Sequence, residues 1–162
     1  FAGVVRDGAV DRRALGAAVF GDPAALKRLE AILHPAVRRA QEAFLRRAAR
    51  RGVAVAALDI PLLFETGGDR RVDRTVVVSA PAMVQRARVL ARPGMTRERL
   101  AAVLARQMPD SEKRRRADFV VPTGAGLRRT RTALAEIIAQ TKHLRGRHWP
   151  PRGYQPGSPS HA

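Results

Sequence analysis

Val53-Ala54-Val55-Ala56-Ala57-Leu58-Asp59-Ile60-Pro61-Leu62-Leu63-Phe64-Glu65 decides the fold class. A short apolar run of this length reads as a fully buried strand. It ends on an acid, and a proline follows within two residues. The Asp59 carboxylate is thereby expected at the carboxyl end of a buried strand, where open α/β sheets hold their ligands. A second run, Thr75-Val76-Val77-Val78-Ser79, leads into a helical pattern. Two buried strands alternating with helices predict an α/β chain with a parallel sheet and helices on both faces.

Before the first strand the pattern is helical. Asp11 is a predicted N-cap for a short helix ending near Phe20, and Asp22-Pro23 starts another, with the acid at N-cap and proline at N1. Leu26, Leu29, Ile32 and Leu33 continue it at helical spacing. His34-Pro35 is expected to interrupt or kink it, because proline lacks the donor and crowds the preceding turn. A further segment runs through Val37, Phe44 and Leu45 to about Arg50, and Gly52 ends it. Beyond strand 53–59 come a loop through Gly67-Gly68 and strand 74–79. Pro81 opens a helix through Val84, Ala87, Arg88 and Leu90 that Pro93-Gly94 stops. Thr96 is expected to cap a helix reaching Gln107, and Asp110 one ending near Ala117. Phe119-Val120-Val121 reads as a third strand, 122–126 as a turn, and Leu127, Leu134, Ile137 and Ile138 as one face of a last amphipathic helix. From Leu144 the chain is rich in proline, glycine and basic residues without periodicity, and a disordered tail is expected.

The chain has 162 residues, enough for one domain with a real core, and 45% of them are hydrophobic. It has no cysteine, which excludes disulfides and cysteine metal sites and fits a cytoplasmic location. No apolar stretch approaches the roughly 20 residues of a spanning helix, so no membrane partner is expected. The net charge is +17 and the pI about 11.9, a balance that attracts polyanions. Lys27, Lys113 and Lys142 are the lysines, so arginine, whose fork matches phosphate, carries nearly all the charge. Alanine and arginine recur along the entire chain, however, and compositional bias explains any single arginine equally well. Lys113-Arg114-Arg115-Arg116 is short, and aromatic residues are 4% of the chain, so neither a stacking platform nor a specific nucleic-acid partner is expected.

Taken alone, each candidate site residue has two readings. Asp59 either organises Mg²⁺ or a substrate hydroxyl, or caps a loop by accepting from backbone amides. Glu65 reads more as an ordinary solvated loop acid. His34-Pro35 is either a kink with a packed histidine or a backbone opening that lines a ligand pocket. No partner at metal-ligand spacing accompanies His34, so no metal-ligating set is expected. Gln85, Arg88 and Arg92 share a helix face, with Arg97, Arg99 and Arg106 beyond the Pro93-Gly94 break. They either bring positive charge to a moving phosphate or form a solvated basic face. No Gly-x-x-x-x-Gly-Lys-[Ser/Thr] run occurs in the chain.

The order of motifs resembles the dephospho-CoA kinase family over roughly residues 1 to 140. Asp7-Gly8-Ala9-Val10-Asp11-Arg12, Val19-Phe20 and Leu29-Glu30-Ala31-Ile32-Leu33-His34-Pro35 are similar to its early helical section. Asp59-Ile60-Pro61-Leu62-Leu63-Phe64-Glu65, Val72-Asp73 and strand 75–79 are similar to its centre. Gln85-Arg86-Ala87-Arg88-Val89, Arg92, Gln107 and Ala117-Asp118 are similar to its later part. The His-Pro helix together with the Asp-Ile-Pro-Leu-Leu-Phe-Glu strand end is the specific combination.

The resemblance implies a P-loop nucleotide-kinase-like fold with a helical substrate section and a lid. It implies transfer of the γ-phosphoryl of ATP, with Mg²⁺, to the ribose 3′-hydroxyl of dephospho-CoA, the last step of coenzyme A synthesis. Arg88 and Arg92 become lid candidates and Asp59 a strand-end acid beside the phosphates. His34, Pro35, Gln85 and Gln107 become substrate-binding candidates. Where the family has asparagine in the turn after the last strand, near the nucleotide base, this chain has Thr123. The expected organisation is a kinase domain at 1–143, with a coenzyme-binding helical section at 11–50 and a lid at 93–117, and a basic tail at 144–162. The family's phosphate-binding loop lies in a first βα unit, with an acidic pair soon after. Here both are expected to be missing, giving an amino-terminally truncated chain that does not transfer phosphate alone. The competing readings are a basic nucleic-acid-binding protein, a kinase of the same fold with another small acceptor, and an inactive remnant.

Overall fold

A computed structural model describes residues 1, 3–144 and 146–149. The chain divides into two compact units, Phe1–Arg47 and Ala48–Ala162.

The first unit opens with a hairpin of β1 (Val5–Arg6) and β2 (Ala9–Val10), antiparallel with Val5 opposite Val10. Its turn is Asp7-Gly8, with φ of 51° and 76°. Two positive φ values in succession make the tight turn whose twist suits a hairpin, and Asp-Gly is its usual sequence. The sequence reading took that dipeptide as part of a helical section and did not expect a hairpin. Helix α1 (Arg12–Val19) starts as expected, Asp11 accepting from the amides of Arg13 and Ala14 at 2.9 and 3.0 Å. Helix α2 (Pro23–Arg50) starts at Asp22, which accepts from Ala24 and Ala25, both at 2.9 Å. The expected interruption at His34-Pro35 is absent: α2 runs unbroken through Pro35. An interior proline costs on the order of 3 kcal/mol, but this helix has 28 residues to carry it. Residues 31–40 are all exposed, so water reaches the carbonyl that proline leaves without a donor.

In the second unit Ala48 and Ala49 are buried, and Gly52, at φ 63°, closes the helix with its amide on the Ala49 carbonyl. The stretch 53–60 that led the sequence reading is not a strand; it is an irregular segment, exposed at Val53, Ala54, Ala57 and Asp59. A strand exists by pairing, and among the described residues the sheet nearby is β3 (Val76–Ser79) with β4 (Phe119–Pro122), each the other's one partner. These two are parallel, as expected, with Val76 opposite Phe119 and Ser79 opposite Pro122. Parallel neighbours need a long crossover, supplied by α3 (Ala82–Leu90), α4 (Arg97–Leu104) and α5 (Asp110–Arg116). Helix α6 (Leu127–Thr141) follows β4. Val77 and Val121 are buried within the strands, and Phe64 and Leu100 are buried outside them.

Two caps differ from expectation. Helix α4 begins at Thr96, whose hydroxyl accepts from Arg99 N at 3.2 Å, but ends at Leu104, short of Gln107. Helix α5 has Pro109, not Asp110, at its N-cap, because the Asp110 carboxylate is engaged elsewhere. Of the expected tail, 145 and 150–162 lie outside the described residues. The amide of His148 donates to Asp73 at 2.8 Å, that of Arg147 donates to the same oxygen, and the Trp149 indole donates to the Val53 carbonyl at 3.3 Å. These three bonds anchor 147–149, a part of the stretch expected to be without order.

Candidate functional site

The carboxyl ends of β3 and β4 are tied to the turn and helices beside them. Thr123 donates to the Ser79 carbonyl twice, from its amide at 2.7 Å and its hydroxyl at 3.1 Å. The Ser79 hydroxyl donates to Asp110 Oδ2 at 2.8 Å, which holds the start of α5 at the strand end. Gln85 Nε2 donates to the Ala80 carbonyl at 2.6 Å, and Arg88 Nη2 to the Thr123 carbonyl at 3.0 Å. Gly124 lies so close to Pro81 that a Cβ would sit 2.7 Å from the proline Cδ, so this turn position requires glycine. Five segments thus meet where the strands of an open α/β sheet face their ligands. Thr123, Gln85 and Arg88 meet there. An open groove of about 540 Å³ continues from Pro122 and Ala125 along α6, past Arg128 and Arg129.

At the other ends of the strands, Asp118 and Thr75 hold each other reciprocally. Thr75 donates to Asp118 Oδ2 from its amide at 2.8 Å and its hydroxyl at 2.7 Å. The Asp118 amide donates back to the Thr75 hydroxyl at 3.0 Å. Thr75 is 6% exposed, so these bonds satisfy groups that water does not reach.

A second cluster lies around the loop that follows Asp59. Glu65 Oε1 accepts from Met108 N at 2.8 Å and pairs with Lys113 Nζ at 2.8 Å. Its side chain is 15% exposed and that of Lys113 16%. Burial alone raises the Glu65 carboxyl. The bonds from Lys113 and the backbone, with the lysine charge, outweigh that and hold it below its ordinary range. Arg116 pairs with Asp69 at 3.2 Å and lies 5.0 Å from the centre of the Phe64 ring. The sequence reading treated Glu65 as a solvated loop acid; it is instead a half-buried, paired one. Its sequence signal is faint: an acid directly after the apolar run Leu62-Leu63-Phe64.

The other candidates are placed apart. Asp59 is exposed, and its carboxylate is bonded to no described residue. Arg92 is exposed two residues beyond the end of α3, and its backbone carbonyl accepts from Met95 N at 3.1 Å. Gln107 is half-buried directly before Met108. His34 and Pro35 are exposed in the part of α2 that belongs to the first unit. Among the described residues no three histidine, cysteine or acidic side chains are grouped to hold a metal ion. No described helix is long and apolar enough to cross a membrane.

Comparison with known proteins gives one consistent family. A sequence model described as dephospho-CoA kinase matches residues 2–128. A dephospho-CoA kinase of Mesorhizobium japonicum is 62% identical over 146 residues, which cover 90% of this chain and 74% of that protein. The crystal structure of TT1252 from Thermus thermophilus, 42% identical, superposes with a TM-score of 0.65 over 85% of this chain and 70% of its own. A dephospho-CoA kinase structure from Campylobacter jejuni, 25% identical, gives 0.58 over 85% and 68%.

Proposed function

We propose a division of labour among residues on the premise that this chain belongs to the dephospho-CoA kinase family: it serves the transfer of the γ-phosphoryl of ATP to the ribose 3′-hydroxyl of dephospho-CoA. That transfer spreads negative charge over the moving phosphoryl, and proteins accelerate it chiefly by positioning and by placed positive charge. Arg92 is the cation that meets this charge. Arg88 assists from one turn earlier while holding the turn at Thr123. Asp59 is the acid that faces the phosphates. Thr123 and its neighbours border the nucleotide base, with the groove beside Arg128 and Arg129 as the adjoining space. His34 and Pro35, in a helical section at 11–50, Gln85, and Gln107, in a lid at 93–117, contact dephospho-CoA. The work is that of a cytoplasmic enzyme on water-soluble nucleotides.

Mg²⁺ demands little of a protein in such sites: one or two carboxylates, with water and phosphate oxygens completing the shell. An exposed carboxylate with no bond to a described residue fits that demand, so Asp59 is the side chain that would hold it. When bound, the ion neutralises phosphate charge. No residue of the chain is assigned to a backbone cradle for the β- and γ-phosphates, since no Gly-x-x-x-x-Gly-Lys-[Ser/Thr] run occurs in it.

The observation that carries this reading is the set of bonds at the strand ends. It fixes α3 through Gln85 and, in its last turn, Arg88, so Arg92 lies a short, defined distance past an anchored helix. In a protein that carries this sequence together with a phosphate-binding loop, assayed with ATP, Mg²⁺ and dephospho-CoA, Arg92→Ala is expected to lower kcat by about 10-fold or more. The KM for dephospho-CoA should move little. An unchanged kcat removes Arg92 from the role.

A further inference from the structure

We propose that Glu65 is a positioning residue: through one oxygen it anchors the end of the arginine-bearing segment 93–107 to the loop that follows Asp59. The inference rests on the functional reading above, which gives that segment and Asp59 their roles. The anchor itself is argued from geometry.

The segment leaves α3 at Pro93-Gly94 and carries Arg97, Arg99 and Arg106. Its start is ordered within itself, Arg99 Nη1 donating to the Gly94 carbonyl at 2.6 Å. Its end is Gln107, and the next amide, Met108 N, donates to Glu65 Oε1. The same oxygen takes the Lys113 ammonium, so one atom joins the segment's last residue to α5 and to the loop at 61–67. Helix α5 is fixed in turn at both ends: Asp110 bonds to Ser79 at the strand end, and Arg116 bonds to Asp69. Segment 93–107 therefore meets a rigid frame at its carboxyl end, where Glu65 receives the Met108 amide and the Met108 sulfur accepts from Arg116 at 3.9 Å. A carboxylate only partly reached by water, accepting from an amide and an ammonium together, makes strong directional bonds. It thereby couples the position of the Asp59 loop to the end of the arginine-bearing segment, Met108 lying 43 residues from Glu65 in sequence. Misplacing a reacting group by an ångström can cost about 100-fold in rate, so such a joint affects chemistry without touching substrate.

The test compares Glu65→Ala with Glu65→Gln, whose amide oxygen still accepts from Met108 N, and with Val77→Ala, a buried strand variant outside the joint. Amide hydrogen exchange is read on each in this chain, and steady-state kinetics on each in a protein that carries this sequence together with a phosphate-binding loop. Glu65→Ala is expected to speed exchange across 105–109 and to lower kcat about 10-fold, with KM for dephospho-CoA nearly unchanged. Glu65→Gln is expected to restore most of both. Val77→Ala should lower the melting temperature yet leave exchange at 105–109 and kcat near those of the parent. If Glu65→Ala does not fold, Glu65→Asp, which keeps the charge but falls short of Met108, takes its place with the same outcomes. Exchange at 105–109 rising no more than in Val77→Ala overturns the anchor, as does a kcat loss that Glu65→Gln fails to recover. If Arg92→Ala keeps full kcat while Glu65→Ala loosens 105–109 and loses rate, the role given to Arg92 fails and the anchor stands.

Discussion

Glu65 and Asp59 sit six residues apart and behave oppositely. Glu65 is nearly enclosed and held ionised by Lys113 and Met108, whereas Asp59 faces solvent. The consequence for Glu65 is a stability that depends on pH. Its folded-state carboxyl is held below its ordinary value of 4.5, so the pairing contributes fully above that value. The contribution is lost as pH falls below 4.5 through the lower folded-state value, since the unfolded chain takes up its proton first. In urea melts, the difference between the parent and Glu65→Gln should be largest near neutrality and shrink on acidification through that window. A difference that stays constant as the carboxyl protonates assigns the loss to packing instead of charge. Removing the lysine alone, as in Lys113→Met, leaves an enclosed charge without its partner. It should cost less than the roughly 3–5 kcal/mol of a fully buried pair, because both groups retain some contact with water.

The elements show where reading the sequence succeeds and where physics beyond it intervenes. The β3–β4 pair is held at its start by Thr75 and Asp118, the latter within the Ala117-Asp118 motif noted in the sequence. Asp118→Ala strands the buried amide and hydroxyl of Thr75, an omission worth about 1–3 kcal/mol. The denaturation midpoint should fall accordingly, and Asp118→Asn, which keeps an acceptor, should recover part of it. A midpoint unmoved by Asp118→Ala would mean water replaces the carboxylate. Caps and breaks were legible because they act within four residues: Asp11, Asp22, Gly52, Pro81 and Thr96 all end or start helices as the local chemistry requires. The stretch 53–59 was misread because strand formation needs a neighbour, and no local pattern contains one. The unbroken α2 was misread for the converse reason: a local rule about Pro35 gave way to the cooperativity of a 28-residue helix. Among the candidates, Asp59, Gln85, Arg88 and Arg92 stood out by type and spacing and Thr123 through the family resemblance; the strand-end bonds bring together Gln85, Arg88 and Thr123. The pairings of Glu65, Asp69 and Asp110 did not stand out, because their partners lie 31 to 48 residues away.

At the scale of the whole molecule, charge invites a functional reading that the family makes unnecessary. The chain has 31 lysines and arginines against 14 acids, so even complete pairing would leave 31 − 14 = 17 cations. A basic protein attracts nucleic acid without any built site, and the ordered motifs over 2–128 belong to a kinase family instead. The excess acts first on the chain itself, since like charges repel in the compact state. Screening reaches from about 30 Å at 0.01 M salt to about 8 Å at 0.15 M, so added salt weakens distant repulsions more than close contacts. The pairs of Glu65 with Lys113 and Asp69 with Arg116 are close and partly enclosed, hence the least screened. Raising NaCl from about 0.01 M to about 0.15 M should therefore raise the melting temperature. A fall over the same range would mean that exposed ion pairs, such as Arg46 with Glu42 at 3.9 Å, outweigh the repulsion. That outcome is hard to reach, because exposed pairs contribute about 0–1 kcal/mol each, and the surplus of 17 cations repels at every distance the salt has not yet screened.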